Sequence, residues 1–307
     1  MPCYKPLQAW AGKDLTSAGR RPMVFNPRDA MDPDSPVQLP CGRCIGCRLE
    51  RSRQWAIRCV HEASLHQRNA FITLTFDPDN LAKRPNPWSL DKREFQLFMK
   101  RLRKDLKGRK IKYFHCGEYG ERFGRPHYHA CIFGWDFPDR ELWSIRQDVR
   151  LYRSRQLERL WPSGFSTVGE VTFESAAYVA RYIMKKVTGP SADAHYSVVD
   201  GETGEVLGQR IPEYTSMSLK PAIGKEWAEK FLTDVYPSDS VIINGRAMQP
   251  PKYYDKVLEV NNPYELDFVK DARTRKARER GSLSWERLEV LERSRKLKIG
   301  MLPRIVE

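Results

Sequence analysis

The stretch 111-IKYFHCGEYGERFGRPHYHACIFGW-135 reads as two strands joined by a turn. Residues 111–119 and 127–135 are rich in β-branched and aromatic side chains, and the segment between them is charged and glycine-rich, as a β-hairpin connection is. In a strand, residues two apart point to the same face. His127 and His129 therefore project together, and Tyr128 projects to the other side. If the turn spans 119–126, with Pro126 fixing its corner, Glu118 on the first strand stands across from His127. Two imidazoles and one carboxylate on one face form a donor set for a divalent ion. The alternative for a bare His-x-His is that each ring satisfies a local hydrogen bond.

Working outward, 70-AFITLTF-76 reads as a buried strand that stops at Asp77-Pro78. In 92-KREFQLFMKRLRKDLKGRK-110 the residues Phe95, Phe98, Met99, Leu102 and Leu106 recur at helical spacing, with Gly108 as the stop. Residues 48–68 and 140–160 read as helices, 165-FSTVGEVTF-173 as a strand, and 174–188 as a helix closed by Gly189-Pro190. The order strand–helix–hairpin–helix–strand–helix predicts an α+β fold: an antiparallel β-sheet of ferredoxin-like type flanked by helices on one face. The expected organisation is an N-terminal arm with a cysteine cluster and a basic helix (1–69), a core (70–190) and a basic, mostly helical C-terminal extension (191–307). Residues 1–40 are expected to be extended or looped, and 193–208 to form a surface hairpin or loop.

The chain has 307 residues and a formal net charge of +14. Such an excess fits a polyanionic partner, most simply nucleic acid. The charge is clustered, with nine Lys/Arg against two acids between 92 and 110, and further basic runs at 43–58 and 270–298. Arg101 and Lys104 on the basic helix are thus candidate DNA contacts. No stretch approaches 18 apolar residues, which excludes a membrane-spanning helix, and the opening MPCYKPLQAW lacks the apolar core of a signal peptide. Seven cysteines among charged sequence fit reduced thiols and metal binding better than disulfides. Cys41, Cys44 and Cys47, in 41-CGRCIGC-47, give three closely spaced thiols entering a helix, a pattern suited to a structural Zn²⁺. Cys59 falls on the core face of that helix. Cys3 and His61 remain as fourth ligand, and Cys3 is preferred because it would pin the N-terminal arm.

In 175-SAAYVARYIMKKVTG-189, Ala176, Val179, Ala180, Ile183 and Val187 form one helical stripe. Tyr178 and Tyr182, four residues apart, share a face nearly opposite that stripe and are flanked by Arg181 and Lys185. This predicts either a plain surface tyrosine pair or two exposed hydroxyls presented, with cations, to something anionic.

Taken in order, 71-FITLTF-76, 125-RPHYHA-130 and 178-YVARY-182 followed by Lys185-Lys186 resemble the motifs of HUH-superfamily rolling-circle replication initiators. The closest likeness is to those of microviruses, the gokushovirus-like single-stranded DNA phages, and 40-PCGRCIGCRLERSRQWAIRC-59 is similar to that group too. The resemblance covers about residues 40–190. It implies a metal-dependent nickase and strand transferase acting on single-stranded DNA at a viral origin. Tyr178 or Tyr182 would form a 5′-phosphotyrosine intermediate, with Lys185 assisting and Arg181 and Lys186 on the DNA. His127, His129 and Glu118 would hold Mg²⁺ or Mn²⁺. The spacing from Glu118 to the histidines is one residue longer than in related initiators, which keeps Glu121 as an alternative. The resemblance also implies work in the host bacterial cytoplasm with a host polymerase, and the lack of a Walker-type motif points to a separate host helicase. Two other readings are a non-catalytic nucleic-acid-binding module, which accounts for the charge but not for the His and Tyr pairs, and a related transposase or relaxase.

Overall fold

The computed structural model describes residues 3–17, 19, 21–120, 123–146, 148–181, 186–187 and 189–301. The chain divides into two compact units, one from residues 1–51 with 281–303, the other centred on residues 52–280.

In the first unit, β1 (Leu7–Ala11) pairs antiparallel with both β2 (Met23–Val24) and β3 (Val37–Leu39). The arm expected to be extended or looped is extended, and its strands pair as a small three-stranded sheet with order β2-β1-β3. The helix α1 (Ile45–Ser64) begins directly after Cys44 and carries Cys47 in its first turn.

The larger unit is built on a seven-stranded sheet. β4 (Asn69–Thr75) leads through the short α2 (Pro78–Ala82) to α3 (Lys92–Asp105). The Asp91 side chain caps α3 by accepting from the Arg93 amide. Then follow the predicted hairpin strands, β5 (Lys112–Tyr119) and β6 (Pro126–Phe133). β7 (Glu141–Arg146), β8 (Val149–Arg153), α4 (Arg155–Leu160), β9 (Ser166–Gly169) and α5 (Phe173–Arg181) complete the core. After it come α6 (Ala192–Tyr196), the hairpin β10 (Ser197–Val199) and β11 (Val206–Gln209), and β12 (Tyr214–Met217). The main sheet has order β12-β5-β6-β4-β9-β8-β7, and its paired strands are antiparallel.

Two expectations need correction. Residues 140–160 are not one helix: an exposed hairpin, β7 and β8, precedes the short α4. Its 141-ELWSIR-146 carries aromatic and β-branched residues suited to a strand, and Asp148 takes the left-handed conformation (φ 65°) that an Asp tolerates in a tight turn. The helices also cover both faces of the sheet, not one. Ile72, Leu74, Tyr128, Ala130 and Ile132 pack against Phe95, Phe98, Met99 and Leu102 of α3 and Leu157 and Leu160 of α4. The alternate residues Phe71, Phe114, Cys116, Cys131 and Phe133 pack against Ala56 and Cys59 of α1 and Ala176, Val179 and Ala180 of α5. Being covered twice, β6 is buried along its whole length, which is why 126–133 reads as a continuous apolar run broken by its histidines.

The C-terminal extension within this unit is mostly helical, as expected: α7 (Lys225–Lys230), α8 (Leu232–Val235), a hairpin of β13 (Val241–Ile243) and β14 (Arg246–Met248), then α9 (Lys252–Asn261) and α10 (Pro263–Arg280). Tyr236, Tyr254, Val257 and Leu266 join Ile57 of α1 in its core. Arg273 of α10 donates to both Asp239 and Asp255. The final helix, α11 (Trp285–Gly300), belongs to the smaller unit.

One close approach fixes the start of β9. A Cβ on Gly164 would lie 2.3 Å from the Asp77 amide nitrogen and 2.5 Å from the Thr75 carbonyl oxygen, both backbone atoms that cannot turn aside. Gly164→Ala should therefore lower stability by at least about 1–3 kcal/mol, the ordinary cost of overpacking, as read from a denaturant midpoint. An unchanged midpoint would show that the backbone at Gly164 has room for a methyl group.

Candidate metal centre and nucleophile site

The hairpin register sets Glu118 directly opposite His127, as the sequence predicts. The three candidate donors are buried: Glu118 is 0% exposed, His129 1% and His127 9%. The Glu118 Oε1 atom lies 2.8 Å from Nε2 of His127 and 2.8 Å from Nε2 of His129. The two rings stand nearly perpendicular, at 88°, with centroids 5.0 Å apart. One donor atom from each residue falls within 4.8 Å of the others.

The opposite side of each ring is already engaged. His127 Nδ1 is 3.1 Å from the Arg125 carbonyl oxygen, so it carries the hydrogen and donates. His129 Nδ1 is 2.9 Å from the Thr73 hydroxyl on β4. Both contacts leave Nε2 turned toward the shared centre, the way metal-binding histidines are usually held. Burial tends to raise the Glu118 carboxyl, but hydrogen bonds and charge from His127 and His129 outweigh it and bring it down to about 2. The group is thus a carboxylate at any working pH. Two aimed imidazole nitrogens and a carboxylate oxygen fit a divalent cation. Glu121, the alternative acid, lies outside the described residues.

α5 supplies the next residue. Tyr178 is not on an exposed face: it is 9% exposed. Its ring packs edge-on against His129 (5.1 Å) and Phe71 (6.4 Å), and its hydroxyl donates to Glu118 Oε1 at 3.4 Å, the long end of a hydrogen bond. The stripe of Ala176, Val179 and Ala180 does face the sheet. Counting angles around the helix left out reach: these side chains are short, and the long tyrosine ring from the flank folds over β4 and β6. The guanidinium of Arg181 sits 5.8 Å from the Tyr178 ring, and Lys186 is exposed. Tyr182 and Lys185 lie outside the described residues.

Arg101 and Lys104 are not brought to this centre. Their helix packs on the other face of the sheet. Arg101 also donates to the Leu160 carbonyl at 2.8 Å, which gives it a structural task, whereas Lys104 is exposed. Thr73 and the Arg125 carbonyl were missed in the sequence. The signal for Thr73 was available, since it lies on the same face of its strand as Phe71 and one strand away from His129.

Replacing Thr73 with Val keeps the shape and removes the hydroxyl that orients His129. Loss of such a supporting group typically costs about 10–100-fold in metal affinity or activity. Metal titration of Thr73→Val should show a weakening in that range, and wild-type affinity would mean the contact does not orient the ring.

The described cysteines include a second donor group. Cys3, Cys41, Cys44 and Cys47 bring their sulfur atoms within 4.8 Å of one another. His61 is elsewhere, hydrogen-bonded to Tyr254 and stacked on Trp227, and Cys59 is fully buried in the core.

Comparison with known proteins adds lineage to geometry. Residues 69–187 match the family model described as Replication-associated protein ORF2/G2P. That match runs from β4 through α5 and so contains the whole hairpin centre. The chain is 31% identical over 273 residues to the replication-associated protein VP4 of Bdellovibrio phage phiMH2K, covering 86% of this chain and 79% of that one. It is 32% identical to the replication-associated protein ORF2 of Spiroplasma virus 4, over 78% of this chain and 74% of the relative. It is also 32% identical to ORF4 of Chlamydia phage 1, over 75% of this chain and 56% of the relative. No solved structure matches. Among the described residues no helix is long and apolar enough to cross a membrane. With most of its length aligned to such relatives and the matched segment coinciding with the buried hairpin centre, the chain belongs to the family of replication-associated proteins of microvirus-like phages.

Proposed function

We propose that this chain initiates phage DNA replication as an HUH-type nickase, cutting one strand of single-stranded DNA at the viral origin and later rejoining it. The observation that carries this reading is a tyrosine hydroxyl 3.4 Å from the carboxylate of a buried two-histidine, one-carboxylate donor set. A core histidine pair needs no nucleophile beside it.

His127, His129 and Glu118 would hold a divalent ion. When bound, such an ion polarises the phosphate oxygens and neutralises charge that develops during transfer. Two nitrogen donors against one oxygen favour Mn²⁺ over Mg²⁺, which prefers all-oxygen surroundings. Arg125 and Thr73 keep the two Nε2 atoms available, and Glu118 holds the Tyr178 hydroxyl beside the centre. The hydroxyl oxygen attacks phosphorus as its proton leaves. The P–O3′ bond breaks, and the released 3′ oxygen takes up a proton. The 5′ phosphate stays on tyrosine as a diester, so the bond energy is kept for rejoining. At an ordinary tyrosine pKa of about 10 little phenolate exists at neutral pH, which makes charge stabilisation the central task of the site. Tyr182 supplies a second hydroxyl for the second transfer, with Lys185 assisting and Arg181 and Lys186 gripping the backbone. Acting in the host cytoplasm, the released 3′ end would serve a host polymerase beside a separate helicase.

Incubating the protein with single-stranded origin DNA, with Mn²⁺ or Mg²⁺ and with EDTA, separates this function from simple binding. Metal-dependent cleavage supports it; binding without cleavage in both metals would leave a nucleic-acid-binding module.

A further inference from the structure

We infer that Cys3, Cys41, Cys44 and Cys47 bind one structural zinc ion, and that this ion holds together the smaller unit, built from two stretches of chain more than two hundred residues apart. Nothing in the nicking chemistry calls for this site, and it stands independently of that reading.

Distance identifies the kind of site. A sulfur pair in a disulfide is about 2.05 Å apart. Two thiolates on one tetrahedral zinc, each at about 2.3 Å, are separated by about 3.8 Å. The Cys3 and Cys44 sulfurs are 3.8 Å apart, and the described cysteines are all unbridged. Four sulfurs within 4.8 Å of one another enclose a single ion and crowd out a larger iron–sulfur cluster.

The backbone is arranged for thiolates. The Cys41 amide donates to the Cys3 sulfur at 3.2 Å, and the Tyr4 amide donates to the Cys44 sulfur at 3.3 Å. The Cys41 sulfur accepts from the amides of Arg43 (3.4 Å) and Cys44 (3.3 Å). These bonds spread the negative charge that a metal requires of its ligands. Gly42 lies in the left-handed region (φ 72°), which lets the chain between Cys41 and Cys44 fold back on the first sulfur. Cys44 and Cys47 also sit at the start of α1, where the helix dipole favours anionic sulfur.

The need for an ion follows from the unit's core. Among its described residues the buried apolar side chains are Tyr4, Ala9, Trp10, Ala30, Cys44 and Leu288. Tyr4, Cys44 and Leu288 form one small cluster, with Cys3, Cys41, Ile45, Cys47 and Leu291 packed on it. So little apolar burial does not hold a unit of this size unaided, and small domains in that position rely on metals or disulfides. The thiol cluster is also where α11, through Leu288 and Leu291, meets the N-terminal residues. Beside it, the exposed Lys5 lies 3.9 Å from the buried Glu292 of α11, at the outer limit of an ion pair.

The test is metal analysis of freshly purified, reduced, full-length protein, followed by cobalt replacement and hydrogen exchange. Wild type should carry about one zinc per chain, and so should His127→Ala/His129→Ala, which lacks the hairpin donors. Cys44→Ser and Cys47→Ser should lose it. Cobalt in place of zinc should give the intense visible bands of a tetrahedral tetrathiolate, a readout that does not depend on any variant folding. Stripping the zinc should abolish exchange protection in residues 3–51 and 281–301 while β4, β5 and β6 stay protected. Absence of zinc, iron in its place, zinc that survives Cys44→Ser, or unchanged protection after stripping would each overturn the proposal.

Discussion

His127→Ala/His129→Ala should abolish strand cleavage while single-stranded DNA binding stays within a few-fold of wild type. The two rings supply two of the three donors, and their removal leaves one carboxylate, too few donors to hold an ion. A metal in this role supplies several kcal/mol of transition-state stabilisation, so a loss of roughly a thousandfold or more is expected. Binding should rest on backbone contacts from Lys and Arg, spread over a chain of net charge +14, and should keep a steep salt dependence. The double variant also removes the imidazole partners of the Thr73 hydroxyl and of Glu118, so folding must be checked by thermal melting. EDTA gives the same result without that complication, and readdition of Mn²⁺ should restore wild type but not the variant. Undiminished cleavage by a folded double variant would end the metal-centre reading.

Tyr178→Phe/Tyr182→Phe should bind DNA and metal and form no covalent adduct. The structure changes how the single variants are to be read. Were Tyr178 exposed, losing its hydroxyl would hardly alter stability. Buried and donating to Glu118, it should cost about 0.5–1.5 kcal/mol, so activity must be compared well below the melting temperature. The two single variants should differ: the one that keeps the first attacking hydroxyl should still nick, but should fail in the second transfer that releases a closed circle. The competing tyrosines are engaged elsewhere. Tyr196 donates to Glu213 at 2.6 Å, and burial and that carboxylate push its hydroxyl far above the usual range. Tyr214 is pushed up in the same way, chiefly by burial.

The hairpin, its register and the Glu118–His127–His129 set were legible because strand alternation is a rigid rule and a one-residue slip would have turned every donor away. The apolar stripes of α3 and α5 were legible for the same kind of reason. What failed depended on tertiary context. The exposed β7–β8 hairpin has no buried face to impose alternation, so its charges resemble those of a solvated helix. β12 adds to the sheet from far along the chain, beside β5, and its partly buried residues carry no long pattern. The burial of Tyr178 depends on how close α5 lies over β6, which periodicity does not encode. Cys3 was separated from His61 only by the fold, since sequence distance favours neither.

The most direct measurement is to react wild-type protein with single-stranded origin DNA, digest with protease, and identify the DNA-linked peptide by mass spectrometry. The proposed mechanism predicts a 5′-phosphate linked to Tyr178 or Tyr182, formed only with divalent metal. Attachment at another residue such as Tyr196 or Tyr214, or cleavage with no covalent adduct, would contradict it.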